Sequence, residues 1–531
     1  MKNVFIGLLA VLSVSVSAQA GFSLALIPSN LTSVPKLHSG AYGVYKGKWF
    51  FIGGRKNGLH GFQPPFAFQT NYMNDQIYIV DPATDQSWSE DVYSLPDSIR
   101  EPITSTNMEF YLQDSMLYMI GGYGWKDSLQ NFVTWPTLTA INMNGLMDAV
   151  INNQAITPYF RQITDSVFAV CGSHVAKLDS TYYLVFGHRF DGTYDRSDTT
   201  GFFVQQYTNE IRKFQIADNG TNLWYYNYTA VRDTDNFHRR DYNLIPFYNH
   251  WFDSYGLTAY SGVFRKNANL PFFNCVDITD TSYRVRTDFN QNLSQYHSAV
   301  CALYDSANLT QHNLFFGGMS MYYLDSVNNT QHTDSMIPFV RTISDVVRNL
   351  DGDYFEFDAG IRMPALLGTN AYFFMDTATP IYKKFFVHLD ALPAGHNLVG
   401  YITGGIESPE ANINETDPSL SIASPRVFEV YIDKDTLASG FTPIDNSVLN
   451  FYCYPNPAHN AATVEFEITD PAMVKLELMD ANGKLVEQVC NKQFAAGKQK
   501  LRLNISQYPS GVYNCVITLY GKRKSIRLAK D

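Results

Sequence analysis

The chain has 531 residues and a formal net charge of −11, and 15% of its residues are aromatic. The acidic balance argues against nucleic-acid binding, which needs a basic surface to displace counterions; the same balance also serves solubility alone. The length allows two or more domains, and the many Tyr and Phe residues favour β structure, where aromatic side chains pack well on a pleated sheet.

The first twenty residues predict a signal peptide, residues 1–20. Lys2 gives a positive start, an apolar run extends from Phe5 to Val16, and Ala18-Gln19-Ala20 forms a small-residue cleavage site. Elsewhere in the sequence no apolar stretch reaches the ~20 residues that a helical membrane span needs. We therefore expect an exported mature protein that starts near Gly21 and has no transmembrane span.

One motif recurs six times in the long front part of the chain: a short apolar strand that ends in glycine. Four occurrences carry a glycine pair, one reads Gly-His, and one keeps a single glycine. Their positions are Gly53-Gly54, Gly121-Gly122, Gly187-His188, Gly262, Gly317-Gly318 and Gly404-Gly405. A phosphate-binding loop is expected once, ahead of a helix, so the repetition indicates a turn in a repeated structural unit.

The first unit shows the whole pattern. A hairpin turn at Lys46-Gly47 precedes the apolar strand, and a later strand carries Tyr78 before an edge strand with Trp88. One such sheet cannot bury both of its faces, whereas six sheets around an axis can. The pattern resembles the kelch repeat family, which implies a six-bladed kelch-like β-propeller over residues 21–433. The strand that starts at Phe22 is expected to pair with the last blade.

The character of the sequence changes after residue 433. Residues 434–450 read as a linker, and residues 451–531 carry eleven Lys or Arg against seven Asp or Glu, unlike the acidic front part. Short alternating strands separated by Asn-Gly and Pro/Gly turns predict a small C-terminal β-sandwich, so the protein is expected to be all-β.

Particular residues of this tail form a sequence of motifs. They are Tyr454-Pro455-Asn456-Pro457, the turn that contains Gly483, the Gly511-Val512-Tyr513 strand and a basic end. Their order closely resembles the type A C-terminal sorting domain of the type IX secretion system of Bacteroidota; a generic adhesive sandwich is the alternative. The resemblance implies that the tail is read by the type IX translocon and sorting machinery. The protein would then be secreted or attached to the outer cell surface.

Candidate ligand-binding residues lie where a propeller's inner-strand loops converge, at the mouth of the central channel. Residues just after the glycine motifs, or at the start of inner strands, are expected there. The predicted set is Arg55, Tyr123, Arg189, Arg240 and His297. Guanidinium groups and aromatic rings suit an anionic sugar or a peptide carboxylate. The alternative is that these side chains fill the channel and satisfy one another.

The sequence contains no HExxH, GxSxG or Walker motif, and no cysteine or histidine spacing typical of a metal site. We therefore predict no catalytic residue, no metal and no cofactor. The function expected from the sequence is a secreted or surface-attached binding module for a glycan or a protein. A carbohydrate-active enzyme with its site at the channel mouth and a purely structural surface component are the alternatives.

Six cysteines are spread widely, three in the front part and three in the tail. Export permits disulfides, and Cys490 with Cys515 is the first pairing to test. Buried reduced thiols are the alternative.

Overall fold

The computed structural model describes residues 21–64, 66–195, 203–324, 330–413, 417–434, 442–443, 448–468, 471–480, 484–519 and 522–531. The predicted signal peptide lies outside these residues. Six four-stranded antiparallel blades form the front part, each ordered from an innermost to an outermost strand.

The first three blades follow one another along the chain, from inner to outer strand. Blade 1 consists of Ala41–Tyr45, Lys48–Ile52, Gln76–Asp81 and Gln86–Asp91. Blade 2 consists of Glu109–Gln113, Met116–Ile120, Thr137–Asn142 and Phe160–Thr164. Blade 3 consists of His174–Leu178, Thr181–Val185, Glu210–Asp218 and Leu223–Arg232.

The remaining three blades complete the ring. Blade 4 consists of Asn243–Asn249, Ser254–Tyr260, Cys275–Ile278 and Tyr283–Arg286. Blade 5 consists of Ala299–Asp305, Thr310–Phe316, Thr342–Arg348 and Tyr354–Arg362, and its sheet is extended by Ile381–Tyr382, Phe386–His388 and Thr442–Pro443. Blade 6 consists of Ala371–Met375, Gly395–Gly404, Val427–Lys434 and Phe22–Pro28.

The ring closes through the N-terminal strand. Phe22–Pro28 pairs antiparallel with Val427–Lys434, with Leu24 opposite Ile432. Contacts between blades bury the apolar second strands on both faces, so residues 49–52 of blade 1 are all buried. The six-bladed propeller and the pairing of the N-terminal strand with the last blade are both confirmed.

Connecting segments between these strands form short elements. Two α-helices lie at Asp97–Ile103 and Met143–Ile151. The 3-10 helices are Thr70–Tyr72, Asp127–Leu129, Thr157–Tyr159, Ser166–Phe168, Leu389–Ala391 and Pro418–Leu420. The inserted strands are Tyr123–Lys126 with Asn131–Thr134, His188–Gly192 with Phe203–Tyr207, Tyr322–Leu324 with Gln331–Thr333, and Leu366–Leu367 with Ile406–Ser408 and Ile422–Ala423. In the described part of the chain, no helix is long and apolar enough to cross a membrane.

The glycine pairs join neighbouring blades. Both glycines of the first pair have positive φ, 66° and 86°. A Cβ on Gly53 would lie 2.5 Å from the carbonyl oxygen of Ile103, which leads into blade 2. The N–H of Gly54 donates to Ser105 O at 2.8 Å, and the equivalent bond from Gly405 to Leu37 O closes the ring at 3.1 Å. The motif is therefore a turn that links one blade to the next.

The tail is a two-sheet sandwich. One sheet contains Val448–Tyr454, Ala461–Ile468 and Gly497–Asn504; the other contains Ala472–Asp480, Leu485–Phe494, Gly511–Leu519 and Lys522–Lys530. The first strand begins three residues before the predicted start of the domain. The Asn456 side chain donates to Arg527 O and accepts from the Ala529 N–H, both at 2.8 Å. The Tyr454-Pro455-Asn456-Pro457 motif thus fastens the last strand of the domain. Gly483, in the predicted turn, lies outside the described residues.

The cysteines are free thiols. Cys490 lies opposite Leu476 and Cys515 lies opposite Leu478, on the two sides of the strand Ala472–Asp480. Because a whole strand separates the two thiols, the Cys490–Cys515 pairing does not form.

Candidate functional site

A ring of backbone contacts surrounds the opening of the central channel. In five blades, the residue after the glycine motif forms a bridge with a residue just before the innermost strand of the same blade. The pairs are His38–Arg55, Thr106–Tyr123, Cys171–His188, Arg240–Val263 and Tyr296–Met319. In blade 6 the Ile406 N–H donates to Thr369 O at 2.9 Å. The blade repeat therefore places one pair of side chains from each blade at the channel mouth.

Below the mouth lies a cavity of about 440 Å³. All six innermost strands or the residues just before them line it, and its polar lining includes Glu109, His174, Asn243, His297 and Asn370. A cavity of this size at the axis of a ring is large enough for a small ligand.

Arg55 is held at the mouth by its own loop. Its Nε donates to Asn57 Oδ1 at 3.1 Å and its Nη2 donates to Gln69 O at 2.9 Å. The residue is only 2% exposed, and burial lowers its pKa to about 10. Its Nη1 has no hydrogen-bond partner among the described residues. The Nη1 nitrogen of this guanidinium group is thus available to donate hydrogen bonds to a ligand or water.

Arg240 lies at the mouth beside Asp241 and the hydroxyl-bearing ring of Tyr194. Its Nε lies 3.6 Å from Asp241 Oδ2, and that nitrogen makes no hydrogen bond within the described ranges. The guanidinium carbon lies 5.5 Å from the ring centre of Phe264. Arg240 therefore offers a positive charge beside an aromatic ring.

Asp241 lies beside Arg240, and His297 lies beside Asp241. His297 Nδ1 is 3.9 Å from Asp241 Oδ1, and the His297 ring meets the His174 ring edge to face at 5.4 Å. Burial lowers the pKa of His297 to about 4 and that of His174 to about 3, so both rings are neutral near pH 7. Burial also raises the pKa of Asp241.

Tyr123 is a supporting residue of the mouth. It is 3% exposed, its hydroxyl donates to Gly192 O, and its ring stacks on Phe132 with centroids 5.2 Å apart. Its hydroxyl is therefore already used within the protein.

Arg189 lies away from the other predicted residues. Its side chain is 54% exposed, and its Nε lies 2.6 Å from Asp191 Oδ2. The reason is that the turn of blade 3 is shifted by one residue towards the N-terminus. Phe186 and Gly187, with φ of 55° and 82°, occupy the two positions that the glycine pair occupies in blade 1. His188 therefore follows the turn and bridges Cys171, and strand alternation turns Arg189 outward.

His60, from the loop after Arg55, is a mouth residue that sequence reasoning missed. Its ring stacks on Phe68 at 4.2 Å and on Tyr194 at 5.3 Å. Burial, together with the nearby charges of Arg240 and Arg55, lowers its pKa to about 4. The two arginines thus flank one aromatic stack.

Unpartnered polar atoms concentrate at this site. Eight buried side-chain atoms here have no hydrogen-bond partner within the part of the chain that the structure describes. They are His38 Nε2, Arg55 Nη1, Asn107 Oδ1, Arg240 Nε, His297 Nδ1, Ser298 Oγ, Thr369 Oγ1 and Asn370 Oδ1. Buried polar atoms are normally paired, so such a group indicates a place for water or a polar ligand. Over the described ranges, no group of three or more His, Cys, Asp or Glu is suited to hold a metal ion.

The fold defines a six-bladed propeller followed by a C-terminal β-sandwich domain. Residues 452–529 match the family described as the secretion system C-terminal sorting domain. The tail is thus a sorting domain of the type IX secretion system, and the protein is secreted across the outer membrane or attached to the cell surface.

Solved structures similar to the chain include two propellers. "Structure of YjhT" shares 9% identity at a TM-score of 0.44, covering 78% of this chain and 99% of its own. A novel fungal alcohol oxidase of the AA5 family, in complex with copper, shares 8% identity at a TM-score of 0.36, covering 96% of this chain and 99% of its own. Neither likeness is close enough to bear on the ligand. No curated protein sequence matches the chain.

Proposed function

We propose that the propeller is a binding module that takes an acidic glycan at the channel mouth. The observation that carries the proposal is the concentration of unpartnered polar atoms around the opening and in the cavity below it. A sugar presents many hydroxyl groups, each a donor and an acceptor, and so suits a site with unused atoms of both kinds.

Arg240 and Arg55 support the acidic part of the proposal. Both flank His60, and each keeps a nitrogen without a hydrogen bond to the described residues. The neighbouring histidines are neutral near pH 7, so the positive charge on this side of the mouth comes from the two guanidinium groups, and Asp241 offsets part of the charge of Arg240. Guanidinium groups bind carboxylates through charge-assisted hydrogen bonds.

Aromatic side chains support the sugar part of the proposal. Tyr194, Phe264 and the Tyr207–His238 stack, with centroids 3.6 Å apart, stand beside Arg240. Flat apolar surfaces with polar tips are suited to the faces of sugar rings.

A glycan array followed by affinity measurement tests the proposal. Arg240→Gln should weaken binding of the best acidic glycan about 10- to 100-fold, because it removes a charge-assisted hydrogen bond worth about 1.5–3 kcal/mol. Arg189→Gln is the matched control, since that arginine is exposed and paired with Asp191. Equal affinities for the two variants would contradict the proposal.

A carbohydrate-active enzyme is the second candidate, and one observation favours it. Glu109 lines the cavity, is 3% exposed, and accepts a hydrogen bond from the Ser173 N–H at 2.7 Å. Burial raises the pKa of Glu109 well above its usual value, as expected for a carboxyl group kept protonated as a general acid. Product release from a bound glycan, lost in Glu109→Gln, would favour this candidate over the binding module.

A further inference from the structure

A hairpin of the propeller completes a sheet of the sorting domain. The hairpin Tyr322–Leu324 and Gln331–Thr333 is inserted after the glycine pair of blade 5. Its second strand pairs in parallel with the last strand of the tail, with Gln331 opposite Lys524 and Thr333 opposite Ile526. The resulting six-stranded sheet therefore contains strands of both domains.

The side chains at this pairing are buried. Gln331, Thr333, Lys524 and Ser525 are exposed by 7%, 3%, 3% and 7% respectively. The Ser525 hydroxyl lies 2.9 Å from His332 Nδ1. Exposures this low show that the hairpin and the last strand of the tail exclude water from their contact.

A second contact lies at the start of the sorting domain. Arg265 Nη1 donates to the Tyr452 hydroxyl at 3.2 Å, and the guanidinium carbon lies 5.3 Å from the Tyr452 ring centre. The Tyr322 hydroxyl donates to Phe451 O at 3.5 Å. Tyr452 also packs against the apolar cluster that contains Val263 and Met319, both of which lie in the ring around the channel mouth.

A third contact involves charge. Glu356, on the outermost strand of blade 5, is 2% exposed and accepts hydrogen bonds from the N–H groups of Asn292 and Leu293 at 2.8 and 2.9 Å. Burial raises its pKa to about 8, and the positive charge of Lys524 acts in the opposite direction. The charge of Lys524, in the tail, thus acts on a buried carboxyl group of the propeller.

We propose that this propeller surface is a docking site for the chain's own sorting domain and that it masks the domain's last strand. An unpaired edge strand offers its backbone to any partner that adds a strand, and here Gln331–Thr333 occupies that edge at Lys524–Ile526. A factor that reads this edge must first displace the hairpin. The opposite edge of the sheet, Leu485–Phe494, has no strand beyond it in the described residues.

Hydrogen exchange on the full-length chain tests the docking. The combined variant Arg265→Ala and His332→Ala removes the contacts with Tyr452 and Ser525 while leaving the core of the sandwich intact. Amides of Gln331–Thr333 and of Lys524–Ile526 should then exchange at least about 10-fold faster than in the wild type. Amides of Ala461–Ile468, in the other sheet, should be unchanged. Lys266→Ala is the matched control, because its Nζ pairs with Asp235 of the propeller itself.

A cross-link keeps the proposal testable if the combined variant unfolds. His332→Cys with Ser525→Cys should form a disulfide under mild oxidation with diamide, found by peptide mapping. His332→Cys with Arg527→Cys, two residues out of register, should not. Fast exchange at Gln331–Thr333 in the wild type, or equal cross-linking of both pairs, would overturn the proposal.

Discussion

The two halves of the channel-mouth face have the same blade geometry but different insertions. Over blades 1–3, long insertions bring together an aromatic cluster that includes Phe68, Tyr123, Phe132 and Phe190. Over blades 4–6, the insertions form an apolar cluster around Val263, Met319 and Ile406, on which Tyr452 of the tail packs. The first half thus supplies the aromatic part of the candidate ligand site. The second half supplies Arg240 and His297 and also contacts the sorting domain.

The comparison separates what the blade repeat determines, the turn, from what the insertions determine, the loop that follows it. The turn after each second strand is the same in both halves: Gly121–Gly122 in blade 2 and Gly317–Gly318 in blade 5 have φ values of 66°, 95°, 62° and 90°. What differs is the length and composition of the loop that follows. Loops on a rigid scaffold are where binding functions are generally located.

The largest expected effect comes from the shared turn. A Cβ on Gly317 would lie 1.9 Å from Leu367 O at a φ of 62°, so Gly317→Ala should cost about 3 kcal/mol or more of unfolding free energy. A Cβ on Gly121 would lie 2.1 Å from Val170 O, so Gly121→Ala should cost as much. Denaturant unfolding measures both changes.

Gly47→Ala is the control for that experiment. Its φ is 75°, but a Cβ there meets nothing within 4 Å, so only about 1 kcal/mol of backbone strain is expected. If Gly121→Ala and Gly317→Ala lowered the unfolding free energy no more than Gly47→Ala does, the turns would not be a shared structural element of the two halves.

A smaller effect, on the pH dependence of the unfolding free energy, is expected at His60 in the half formed by blades 1–3. His60 has a pKa of about 4 in the folded protein, against about 6.5 for an unfolded chain. Its contribution to stability is therefore complete above pH 6.5 and is lost as the pH falls towards 4, because only the unfolded state takes up the proton. His60→Gln should reduce the loss of stability between pH 7 and pH 4.5 by roughly 2 kcal/mol.

The exposed His459 of the sorting domain provides the matched variant for that measurement. Chemical denaturation at a series of pH values should give His459→Gln the same profile as the wild type. If His60→Gln also followed the wild-type profile, His60 would not be buried and neutral at the mouth.

The parts of the fold that carry a repeat or an ordered set of motifs were predictable from the sequence, and the single insertions between blade strands were not. The glycine motif predicted six blades, and the order of motifs after Tyr454 predicted the sorting domain. The sequence placed Arg189 directly after the turn, but the structure places His188 there. The turn begins at Phe186, which adopts the left-handed conformation usually found at glycine, so aligning Gly187-His188 with the glycine pairs of other blades is off by one residue. His60 and the Gln331–Thr333 strand lie in single insertions, and their positions depend on tertiary packing that leaves no periodic pattern.

The predicted site residues cluster where the blade repeat fixes their positions. Arg55, Tyr123 and Arg240 lie at the mouth because each stands next to a blade turn or at the start of an inner strand. Their individual roles depend on partners that are distant in sequence, such as Gln69 O for Arg55 and Gly192 O for Tyr123. Of the predicted arginines, Arg240 combines a place at the mouth with an Nε that makes no hydrogen bond within the described residues and with a neighbouring aromatic ring, so we propose it as the main ligand contact.

The central claim is that the channel mouth recognises a carboxylate on a hydroxyl-rich ligand. Isothermal titration of the wild-type protein with the best acidic glycan from the array, and with the same glycan after its carboxylate is reduced to an alcohol, tests this claim most directly. We expect at least a roughly 10-fold weaker affinity for the reduced glycan, because the guanidinium groups lose their charged partner. Equal affinity for the two glycans would contradict the claim.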